Sequence, residues 1–177
     1  MKKHLFILSL LLLGGCASQD DGAAQNPCPG IGFMEYAASA PFFANAAKNP
    51  TADDVAVYAV MRNLAGACSP VNKGHVNVEF SFDLLAQKNK TDYPSTQQNL
   101  SYFVAVLGPG EQVLQRQNFY VTLDFNKETA ASSLEEQTVD LPLAEGRAPQ
   151  NYNIVVGFAL TPEQLSFNKA PPDAPKK

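Results

Sequence analysis

The chain has 177 residues, with 13 lysines and arginines against 17 aspartates and glutamates, three cysteines, two histidines and no tryptophan. That length supports one domain with a real core. The acidic balance lacks the basic patch that a nucleic-acid partner demands. Outside the N-terminal region only His75 remains, too few imidazoles for the familiar zinc sites, so neither a metal nor a cofactor is expected.

Lys2 and Lys3 lead into "LFILSLLLL" (5–13). A charged start followed by an apolar run too short to span a bilayer matches a secretory signal. The run ends Leu13-Gly14-Gly15-Cys16, which resembles the lipobox of bacterial lipoproteins. The resemblance implies a signal peptide at 1–15 that is cut away, a diacylated Cys16 thiol, and acylation of the new amine. Two or more palmitate-like chains anchor firmly where one does not, at roughly 0.8 kcal/mol per buried CH₂. Ala17 stands where an Asp would signal inner-membrane retention, which by that family's sorting rule implies the outer membrane, facing the periplasm. Residues 16–27 are small and polar and read as a flexible tether. Without the signal, eleven basic residues face seventeen acidic ones. With Cys16 lipidated, Cys28 and Cys68 are an even pair in an oxidising compartment, and a disulfide between them is expected. The alternative is a thiol pair that handles copper or exchanges disulfides, but it lacks C-x-x-C spacing.

The domain proper is expected over 28–167. It opens with "GIGFMEYA" (30–37), read as a strand. Next comes "PFF" (41–43), whose adjacent phenylalanines cannot both enter one core from a strand. Phe42 and Phe43 are therefore a candidate partner contact, unless one of them caps the fold. "TADDVAVYAVMRNLAGAC" (51–68) carries two signals. Val57, Val60, Met61 and Leu64 fall at helical spacing behind capping residues Thr51, Asp53 and Asp54. The β-branched and aromatic content favours a strand. As a strand antiparallel to 30–37 it brings Cys28 and Cys68 within disulfide reach.

"HVNVEFSFDLL" alternates Val76, Val78, Phe80, Phe82 and Leu84 with polar residues, the mark of a half-buried strand. "QKNKTDYPSTQQN" (87–99) reads as the longest polar loop. "LSYFVAVL" (100–107) is apolar on both faces, as a central strand is, and "GPGE" (108–111) turns the chain back. In "QVLQRQNFYVTLDF", Phe119, Val121, Leu123 and Phe125 share an apolar face, but Gln115 and Gln117 in the same phase are polar, pointing to a bulge or a change of partner. "LEEQTVDLPL" and "NYNIVVGFAL" complete the strands, and "NKAPPDAPKK" (168–177) reads as a proline-rich extended tail. About seven strands give an all-β, two-sheet antiparallel sandwich.

Tyr152, preceded by Leu141 and Pro142, resembles the tyrosine corner of immunoglobulin and fibronectin type III sandwiches, where a phenol bonds upstream backbone; the other reading is an ordinary core tyrosine. Through "CPGIGFMEYA", "GAC", "YFVAVLGPGEQVL" and "VVGFALTPEQLSFN" the chain resembles uncharacterised lipoproteins of alphaproteobacteria, which implies compartment and architecture but no activity.

Chemistry leaves fewer marks. His75 begins a strand with no G-x-S-x-G elbow near it, and the adjacent acids Glu135 and Glu136 face opposite ways on a strand. Met34 and Met61 are core fillers before they are copper ligands. The expected function is a lipid-anchored, non-catalytic binding or structural module of the cell envelope with a protein partner. The alternatives are an envelope hydrolase with carboxylates from separate loops, and a periplasmic copper-handling protein.

Overall fold

The computed structural model describes residues 28–45, 50–89 and 93–170. It contains β1 (Gly30–Phe33), β2 (Ser39–Phe43), β3 (Val55–Cys68), β4 (His75–Lys88), β5 (Gln97–Leu107), β6 (Val113–Asp124), β7 (Ala130–Pro142), β8 (Asn153–Phe158) and one helix, α1 (Pro162–Lys169). These strands form two four-stranded sheets, ordered β2-β3-β4-β7 and β1-β8-β5-β6. Every pairing is antiparallel except β1 with β8. The chain is thus the expected all-β, two-sheet sandwich, with eight strands in place of about seven. Its division differs from the four-plus-three of an immunoglobulin constant domain. What it shares with that class is the pair of packed antiparallel layers.

Period-two alternation drives the layering. Val76, Val78, Phe80, Phe82, Leu84 and Ala86 on β4 point inward and are buried, as are Leu100, Tyr102, Val104 and Val106 on β5 and Ile154, Val156 and Phe158 on β8. At the centre the Phe82 ring meets Tyr102 edge-on at 5.4 Å, and Phe119 stacks on Tyr102 at 5.0 Å. β5 lies between β8 and β6, and it is apolar on its outer face as well. On that outer face Phe103 is covered by the Arg116 guanidinium at 4.1 Å. Gly157 leaves room beside it for the chain between β1 and β2: a Cβ there would meet Ala37 and Met34 Cβ at 3.0 and 3.1 Å.

The segment with two signals is strand β3, and both of its helical cues have a local cause. Residues 57, 59 and 61 pair in one register, and a β-bulge shifts the register between Arg62 and Ala65, with Asn63 at φ +56°. The inward row therefore continues at Leu64, three residues after Met61, and a bulge has imitated a helical step. The capping residues are real but close only one 3-10 turn, Ala52–Asp54, in which the Asp54 carboxylate accepts from the Thr51 amide and hydroxyl at 2.7 and 2.9 Å.

Three other expectations are corrected. The strand at 30–37 does not pair with β3. Its first part, β1, runs parallel to β8 in the other sheet, and only β2 pairs antiparallel with β3. β5 occupies one edge of β8, and β1 pairs along the other. The polar loop is shorter than 87–99, since β4 runs to Lys88 and β5 begins at Gln97. The expected tail from 168 instead starts inside a helix: α1 runs to Lys169, and only 171–177 lie outside the described residues. Its start was legible as Thr-Pro-Glu-Gln. Thr161 Oγ1 accepts from the Gln164 amide, Gln164 Oε1 accepts from the Thr161 amide, and Pro162 sits at the first helical position.

Cys28 and Cys68 are bonded, as expected, with Cα atoms 5.7 Å apart. Because β1 and β3 belong to different sheets, the crosslink joins the layers rather than two neighbouring strands. Tyr152 is buried, and its Oη accepts a hydrogen bond from the Ala144 amide at 2.9 Å, the upstream backbone contact of a tyrosine corner. No helix among the described residues is long and apolar enough to cross a membrane.

Candidate functional site

A sandwich has four sheet edges, and each unpaired edge is a row of amides and carbonyls that another chain can join. Here the four are treated differently. β2 is covered by α1. Gln164 Nε2 donates to the Pro41 carbonyl at 2.7 Å, and Asn168 Nδ2 donates to the Ser39 and Tyr36 carbonyls at 2.8 and 2.7 Å. Four residues of helix rise about 6 Å and two residues of strand about 6.8 Å. Amides at 164 and 168 therefore fall opposite carbonyls at 41 and 39. Pro41 has no N–H to leave unpaired, which suits an edge. β1 is only four residues long and lies beside the disulfide.

β7 is protected by charge. Its inward row reads Ala131, Ser133, Glu135, Gln137, Val139 and Leu141, paired across from the buried residues of β4. A carboxylate aimed into the fold at an edge opposes addition of another strand. Glu135 is satisfied from within: Tyr102 Oη donates to its Oε2 at 2.9 Å, Ser133 Oγ donates to Oε1 at 2.6 Å, and Gln137 Nε2 donates to Tyr102 Oη at 2.8 Å. Burial, then the bonded carboxylate, pushes the Tyr102 phenol well above the usual tyrosine range. Glu136 and Asp140 add charge on the outer side of β7.

β6 has none of these devices. It pairs only with β5, and among the described residues no other backbone bonds its far side. It contains neither proline nor glycine and only two charges, Arg116 and Asp124. Its outer face exposes Val113 at 59%, Leu114 at 48% and Tyr120 at 81%. Gln115 and Gln117 keep the inward phase, opposite Val106 and Val104, yet are exposed. The expected irregularity is therefore not at these glutamines. The bulge lies at Leu114, where Val106 and Leu107 pair with Gln115 and Val113. The glutamines are polar because water reaches the open side of the sandwich.

The residues singled out from sequence are dispersed. Cys16, with the segments 1–15 and 16–27, lies outside the described residues. Phe42 packs against the core, while Phe43 meets the Phe167 ring of α1 at 5.5 Å. A register shift in the β2–β3 pairing falls between them and lets neighbours take different surroundings. His75 Nδ1 lies 3.2 Å from both Asp140 carboxylate oxygens on an exposed surface, and Met61 is buried in the core. The disulfide occupies both remaining thiols. Glu79 and Glu136 share an open depression of about 620 Å³ on the outer face of the β3-β4-β7 sheet, with Ala65, Ala67, Ser81 and Thr138. Sequence reading missed the Tyr102–Glu135–Gln137 network. Its signal was the phase of 131–141, in which Glu135 and Gln137 share a parity with Val139 and Leu141 while Leu134 does not.

The chain matches no family model, no curated protein and no solved structure.

Proposed function

We propose that this chain is a lipid-anchored, non-catalytic binding module of the cell envelope, held through Cys16 at the outer membrane facing the periplasm. It engages its partner by strand addition along β6. The observation that carries the reading is the contrast among edges: β2 is capped by a helix, β7 is charged, β1 is short, and β6 is long, regular from 115 to 124 and nearly uncharged. Main-chain hydrogen bonds to an added strand supply affinity without a pocket, and alternate side chains supply selectivity.

The test is incorporation of a photo-crosslinking amino acid at Gln117 in living cells, with Ser132 on the outer face of β7 as the control. The expectation is an adduct from Gln117 and none from Ser132. Equal labelling at both positions contradicts the reading. In parallel, radiolabelled palmitate is expected to mark the wild-type chain and not Cys16→Ser.

A further inference from the structure

The occupant of this edge follows from the arrangement of β6 itself. From 115 to 124 the strand pairs with β5 without irregularity, so its side chains alternate strictly. Arg116, Asn118, Tyr120, Thr122 and Asp124 face outward; Gln117, Phe119, Val121 and Leu123 face inward, on the side of Tyr102. The two charges are opposite in sign, on the same face, and equidistant from Tyr120, which is also the most exposed large apolar side chain among the described residues.

An antiparallel pair related by a two-fold axis places each residue opposite its mirror position, and opposed residues share a face. With the axis at Tyr120, Arg116 stands across from Asp124 twice, and the two exposed phenol rings meet. Asn118 faces Thr122, and inward Phe119 faces Val121. Shifting the axis to Arg116 opposes two guanidiniums, and axes at Asn118 or Thr122 leave both charges unmatched. Only the register centred on Tyr120 neutralises the strand.

We infer that β6 pairs with β6 of a second copy of this chain about a two-fold axis at Tyr120, joining the β1-β8-β5-β6 sheets of two molecules into one. This rests on the proposed use of the β6 edge and names its occupant. Opposite-charge and aromatic cross-strand pairs each favour such a ladder, and a two-fold contact is closed, so it ends at a dimer.

The test uses the full chain in the membrane and after extraction in detergent. Opposed Cα atoms in an antiparallel pair are about 4.5–5.5 Å apart, within disulfide reach. Tyr120→Cys is therefore expected to give a dimer on non-reducing gels. Asn118→Cys and Thr122→Cys are expected to crosslink when co-expressed but not singly. Arg116→Asp sets like charges across the seam and is expected to weaken self-association by roughly tenfold or more in sedimentation equilibrium. The exchange Arg116→Asp with Asp124→Arg is expected to restore it. A wild-type chain that stays monomeric, or an exchange variant no better than the single one, overturns the inference. An adduct from Gln117 to a different protein also overturns it while leaving strand addition at β6 intact.

Discussion

Removing one oxygen from the core tests the polar network that protects β7. In Tyr102→Phe the ring keeps its contacts with Phe82 and Phe119, and loss of a hydroxyl leaves little void. The change is therefore almost purely polar. Glu135 loses a donor at 2.9 Å and Gln137 an acceptor at 2.8 Å. A hydrogen bond to a charged group is worth about 1.5–3 kcal/mol, and an orphaned buried partner costs a similar amount. Glu135 is only half-buried, so water recovers part of this, and the expected cost is about 2 kcal/mol. In urea this moves the unfolding midpoint by roughly 1 M. Glu135→Leu alone takes the acceptor from the phenol proton and leaves the phenol only the bond donated by Gln137, but in the Tyr102→Phe background it removes that donor and acceptor together. The double variant is expected to be more stable than the sum of the singles by about 1.5 kcal/mol. Unfolding curves by far-ultraviolet circular dichroism measure all four proteins. A cost below about 0.5 kcal/mol for Tyr102→Phe, or strict additivity, refutes the network as a source of stability.

The same phenol predicts alkaline sensitivity. Its proton is held more tightly in the folded than in the unfolded chain, so its contribution is complete below the usual tyrosine pKa near 10 and falls as pH rises above it. The fall should be shallower in Tyr102→Phe, as read by urea midpoints from pH 9 to 11. Replacing Cys28 and Cys68 together by serine frees a loop with a sequence separation of 40, for which the chain-entropy relation gives about 4 kcal/mol. Hydrogen exchange is then expected to rise first in β1, because the bond ties that short strand to the other sheet. Gln164→Ala with Asn168→Ala uncovers the β2 carbonyls. It is expected to cost about 1–3 kcal/mol, with faster exchange in β2 and α1 but not in β6.

The layers of this protein were legible because period-two alternation is local. The burial of 76, 78, 80, 82 and 84 follows from neighbours along one strand, and the apolar faces of β5 mark it as interior. The cysteine pairing was legible for a different reason, since only two thiols remained once Cys16 was assigned to lipid. The route was not legible: which sheet β1 joins depends on β8, more than a hundred residues later in the chain. The bulge in β3 was misleading in sequence because an extra residue changes the step from two to three, as a helical turn does.

The chain by itself determined the class of the fold, most of its strands and its crosslink, because alternation and composition act over short distances. Tertiary structure alone decided which edges close. A glutamine and an asparagine reach β2 only because α1 lies along it. Glu135 guards β7 only because Tyr102 meets it from the opposite sheet. β6 stays open because nothing among the described residues pairs beyond it. Edge protection is a relation between distant segments, and local sequence carries little trace of it.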